Sequence, residues 1–150
     1  RLRMIGDGDV AGAISPSLTG SGTDLYVGVG GTPEAVLAAA ALRCLGGDIQ
    51  ARMWPRDEAE RTSLIDQGYE DDLQTVYHAE DLASGDDVMF CATGISDSPL
   101  LPGVRFEGQT ATTHSILMRA KTRTIRHIRA VHDLSTKTIR LRSTQAEKKL

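Results

Sequence analysis

The chain has 150 residues, 40% of them apolar and 25% charged, with a formal net charge of −3. That balance suits one domain with its own core and excludes a disordered segment, which would carry fewer apolar residues and more charge. It offers no basic excess for a nucleic-acid partner, and no run approaches the roughly 18 apolar residues of a membrane-spanning helix.

The elements are read in chain order. Residues 2–5 predict a short strand that opens the chain without an initiator methionine, so upstream residues are expected. The start lacks the long apolar run and cleavage site of a signal peptide. A turn, Gly6-Asp7-Gly8-Asp9, leads into a short helix over residues 10–15. Residues 24–29 (Asp-Leu-Tyr-Val-Gly-Val) predict a second strand, apolar enough for both faces to be covered. The clearest helix follows: Thr32 suits the N-cap, Pro33 the first helical position and Glu34 the first turn, and Gly46-Gly47 ends the run. Its many alanines suit close packing on a sheet.

A third strand is expected over residues 48–54, closed by Pro55, then an exposed charged helix over 57–67 ending at Gly68. A second acidic helix is expected over 79–83 and a buried strand over 87–93. Residues 96–103 form a loop with two prolines. Residues 104–106, 110–120 and 122–131 read as antiparallel β-branched strands. The domain spans 1–134, and 135–150 form a polar, basic tail expected to fray. The fold class is α/β, with a mixed sheet between helices. Cys44 and Cys91 are too few for a disulfide framework and are expected as buried thiols of a cytosolic protein.

Chemistry concentrates in two segments. In Gly6-Asp7-Gly8-Asp9 the aspartates can accept hydrogen bonds from sugar hydroxyls, although such residues also make ordinary turns. Gly28-Val29-Gly30-Gly31-Thr32-Pro33-Glu34 ends a strand and opens a helix, where α/β sheets place ligands. It lacks the G-x-G-x-x-G spacing and the P-loop lysine, which disfavours a nucleotide site. A glutamate there either complements the helix dipole or ligates a cation. Beside phosphate the second role suits it better, with Mg²⁺ or Mn²⁺ as hard-ligand partners. His78, His114, His127 and His132 lack a metal-binding spacing and are taken as structural or surface residues. Lys121, Arg123, Arg126 and Arg129 make a basic stripe that suits a solvated or subunit-facing surface.

These two segments, the first taken from Ile5 to Ile14, with residues 38–51, Phe90-Cys91-Ala92-Thr93-Gly94 and Thr113-His114-Ser115, resemble the C-terminal part of a class II fructose-1,6-bisphosphatase over residues 1–134. The resemblance implies the layered fold of lithium-sensitive sugar phosphatases. It also implies Mg²⁺- or Mn²⁺-dependent removal of the 1-phosphate of fructose 1,6-bisphosphate, and in some members action on sedoheptulose 1,7-bisphosphate. Gluconeogenesis, glycerol metabolism and the Calvin cycle are the implied settings, in the cytoplasm, as a homo-oligomer. By resemblance Asp7, Gly8, Asp9 and Gly31 contact substrate and Glu34 ligates metal, with Ala35 in place of the family's usual glycine. The family's other metal carboxylates and its water-positioning threonine belong to upstream motifs that do not occur here. No catalytic residue is therefore expected in this chain, and the chain alone is expected to be inactive. The alternative is a non-catalytic sugar-phosphate-binding or assembly module.

Overall fold

The computed structural model describes residues 1–136. The basic end of the expected tail, from residue 137, lies outside the described residues. Helix α1 (Asp9–Ile14) starts where Gly8 takes a left-handed conformation (φ 80°, ψ 38°), open at little cost only to glycine. Helix α2 (Thr32–Leu45) starts one residue earlier than predicted. Gly31 is its N-cap and Thr32 stands inside the helix, so no side chain caps the first turn. Gly46, left-handed at φ 79°, ends it and donates its N–H to the Leu42 carbonyl.

Helix α3 (Glu58–Asp66) is capped by Asp57, whose carboxylate accepts the Glu60 N–H at 2.8 Å. Helix α4 (Ala79–Leu82) falls where it was predicted, with the Asp81 carboxylate accepting the His78 N–H at 2.8 Å. Between α2 and α3 the strand expected over residues 48–54 shrinks to one bridge, Ala51 to Tyr77, with N–H to O distances of 2.9 and 2.7 Å. No helix among the described residues is long and apolar enough to cross a membrane.

Among the described residues one sheet is formed, from β1 (Met89–Thr93), β2 (Arg105–Glu107), β3 (Thr110–Arg119) and β4 (Thr124–Asp133). β3 is its spine. It pairs with β4 along its whole length, and with β1 and β2 in succession on its other edge. Every pairing is antiparallel, which corrects the mixed sheet expected from the sequence. The correction has a physical source. The segments that would have supplied additional strands, 2–5 and 24–29, pair with no strand among the described residues.

Helices α1 and α2 cover one face of the sheet. Phe90 lies opposite Met118 in register, and these two with Ile116, Ile14, Ala41, Cys44 and Leu101 make the core. Burying each large side chain there stabilises the fold by about 2 kcal/mol. Ala38, Ala39 and Ala41 are buried in α2, so the alanine run does bring the helix close to its neighbours. The other sheet face stays open. β1 was expected as a buried strand, yet Met89 and Cys91 are exposed. Cys91 is therefore a surface thiol, contrary to expectation. Cys44 is buried as expected, its Sγ 3.6 Å from the Val88 carbonyl, and burial pushes its thiol pKa up.

Candidate functional site

The two acidic segments, residues 6–9 and 28–34, meet in space at the starts of α1 and α2, which pack together. Asp7 is exposed in the turn before α1, and Gly8 gives that turn its left-handed step. Asp9 is the first residue of α1. It lies beside the second loop: a Cβ placed on Gly30 would sit 3.1 Å from Asp9 Oδ2. At Gly31 the same test gives a collision with the Glu34 carboxylate, which folds back over the loop. Glycine at both positions therefore leaves room for the two carboxylates against the backbone. Glu34, in the first turn of α2, is exposed.

Tyr26 was not singled out from the sequence, and it is the residue that links the parts. Its hydroxyl reaches Asp9 Oδ1 at 3.4 Å, and its ring lies against α1 at Gly12. Burial, with the nearby Asp9 charge second, raises the Tyr26 pKa above its usual value. The signal in the sequence was the aromatic residue between Leu25 and Val27: alternation along an extended segment turns it opposite to its neighbours.

Asp7, Asp9 and Glu34 form no ion pair with a lysine or arginine among the described residues. Negative charge thus gathers at this end of the molecule next to the uncapped first turn of α2. The loop can offer carboxylate acceptors to hydroxyl groups and backbone N–H groups to an anion. Glu34 fits the role of one metal ligand. A complete centre is another matter, because no group of three or more His, Cys, Asp or Glu side chains among the described residues could hold a metal ion.

At the far end of α2, about 21 Å away by helical rise, lies an open cleft of about 640 Å³. Its walls include Asp48, His78, Lys121 and Arg123. His78 Nδ1 is 2.7 Å from Asp48 Oδ2. That contact raises the imidazole pKa, while the Ala79 N–H, then His78, lowers Asp48 to about 2. The other histidines lie on or beside the sheet. His114 Nδ1 is buried without a hydrogen-bond partner among the described residues, and Thr113 Oγ1 is 2.9 Å from His132 Nε2. His127 and His132 fall on opposite faces of β4, as their spacing predicts. Arg126 and Arg129 are exposed there.

The family of bacterial fructose-1,6-bisphosphatases described as glpX-encoded matches residues 1–132, a stretch that contains both loops and the whole sheet up to β4. The chain belongs to this family. Its relatives include the D-fructose 1,6-bisphosphatase class 2/sedoheptulose 1,7-bisphosphatase of Synechococcus sp. strain JA-3-3Ab. That protein is 40% identical over 144 residues, covering 88% of this chain and 41% of the relative. The protein of the same description from Synechococcus elongatus is 39% identical over 154 residues, covering 95% of this chain and 45% of the relative. The chain therefore spans less than half the length of these bisphosphatases, and the loops described above belong to the shared part.

Proposed function

We propose that this chain forms the sugar-holding part of a metal-dependent bisphosphatase. The enzyme would remove the 1-phosphate of fructose 1,6-bisphosphate, with sedoheptulose 1,7-bisphosphate as a second substrate. One observation carries the reading: the Asp7–Asp9 turn and the Gly31–Glu34 loop converge at the starts of two packed helices. Asp7 and Asp9 accept hydrogen bonds from sugar hydroxyls and so orient the ring. Gly8 and Gly31 let the ligand approach the backbone. Glu34 supplies one oxygen ligand to Mg²⁺ or Mn²⁺, whose remaining carboxylates come from outside this chain. The similarity to class 2 fructose 1,6-bisphosphatase/sedoheptulose 1,7-bisphosphatases supports the substrate assignment.

The test is phosphate release from fructose 1,6-bisphosphate with Mn²⁺ or Mg²⁺, comparing the chain alone with the chain joined to the part of the enzyme it does not span. Activity is expected only in the joined protein. There, Glu34→Gln is expected to lower activity by about 100-fold or more, with circular dichroism unchanged. Turnover by the chain alone would overturn the account of the ligands. Ligand binding without turnover in either form would favour the binding module.

A further inference from the structure

The segments that lead into the two loops are among the most exposed apolar stretches of the described residues. Leu2 and Met4 are 86% and 83% exposed, and Leu25, Val27 and Val29 are 76%, 84% and 72% exposed. Leu25, Val27 and Val29 alternate along one side, and Tyr26 between them turns the other way onto α1. Ile5 reaches α1 at the same place. A Cβ on Gly12 would sit 2.7 Å from Ile5 Cδ1 and 2.8 Å from Tyr26 Cε2. The two segments therefore lie side by side across α1, each followed by one loop of the candidate site. Among the described residues, 1–5 and 24–29 make no backbone hydrogen bond. Unpaired backbone beside an alternating apolar face matches the requirement of a β-strand partner, and left bare it invites aggregation.

We propose that residues 1–5 and 24–29 are strands of a second sheet, completed by apolar β-strands from the part of the enzyme that this chain does not span. The occupant follows from two observations. The relatives extend to more than twice the matched length. The loops at the ends of both segments hold an incomplete ligand set, which a second copy would duplicate rather than complement. The interface would then do two things at once. It would bury the exposed apolar face, and it would fix Asp7, Asp9 and Glu34 against the missing carboxylates. This deepens the reading above but rests on family membership, not on the choice of substrate.

Hydrogen exchange and association test it. Alone, the chain is expected to exchange the amides of 24–29 without protection. Co-expressed with the portion of the Synechococcus elongatus relative that it does not match, the chain should form a one-to-one complex. Exchange at 24–29 should then slow by about 100-fold or more. Val27→Asp should weaken that complex by about 100-fold, because it buries an unpaired carboxylate, and leave the isolated chain as stable as before. Protection of 24–29 by self-association of the chain alone would overturn the proposal in favour of a second copy. Failure to associate, or a complex in which 24–29 still exchange freely, would also overturn it. Phosphate release is read separately: a protected complex without turnover would count against the bisphosphatase reading and leave the interface standing.

Discussion

Residues 24–29 and β1 are two short apolar segments of nearly the same character, and the molecule treats them differently. β1 pairs with β3 from Met89 to Thr93 and buries Phe90 under α2. Residues 24–29 pair with nothing described, and three of their apolar side chains face outward. Local composition is therefore not what separates them. β1 has a partner a hairpin's reach along the chain, in the β3–β4 unit that follows it. A strand of the other kind needs a partner brought from elsewhere, and until it arrives its apolar alternation earns no stability.

The contrast can be broken or sharpened by substitution. The largest effect is expected at Phe90: Phe90→Ala should destabilise the chain by about 3 kcal/mol in denaturant unfolding. Val27→Ala should stay within about 0.5 kcal/mol, because the side chain is already in water. Equal losses at the two positions would mean that residues 24–29 are packed after all. Next comes Gly94, just past the end of β1, where a Cβ would collide with the Pro102 carbonyl oxygen. Gly94→Ala should lower stability by about 2 kcal/mol through overpacking.

The His78–Asp48 contact gives a smaller, pH-dependent effect. His78 has its pKa raised above 6.5 by Asp48, so its contribution is fully present below about pH 6.5 and is lost as pH rises through the raised value. Asp48 is lowered from 3.8 to about 2, so its contribution is present above about pH 3.8 and is lost as pH falls toward 2. Melting temperature should therefore be highest between these limits. His78→Gln should flatten the alkaline side and leave much of the acid side, since the Ala79 N–H still bonds Asp48 at 3.0 Å. An unchanged alkaline slope would show that the pair does not form in solution. The smallest effect is expected from Tyr26→Phe, which removes only the long contact to Asp9. It should lower sugar-phosphate affinity in the joined enzyme by only a few-fold, with chain stability unchanged.

Much of the molecule was legible beforehand. The ends of α2 were marked by Pro33 and Gly46, α3 by its charge pattern, and the β2–β4 region by runs of β-branched residues. The acidic pair Asp7 and Asp9 and the Gly31–Glu34 loop were visible as motifs. Their convergence was not, because it depends on α1 packing against α2 and on Tyr26 and Gly30 lying beside Asp9. Cys91 was misjudged because an apolar run gives no sign of which sheet face is covered. The strand at 48–54 was misjudged because its residues alternate well enough but find only Tyr77 as a partner.

What the sequence determined alone is what depends on near neighbours: where helices begin and end, which turn needs glycine, and which residues carry negative charge into the loops. What only the tertiary structure decided is pairing. Strand order, the covered face of the sheet, and the exposure of 24–29 all depend on which distant segment is available to satisfy backbone hydrogen bonds and cover apolar side chains. Local residue preferences do not encode that availability.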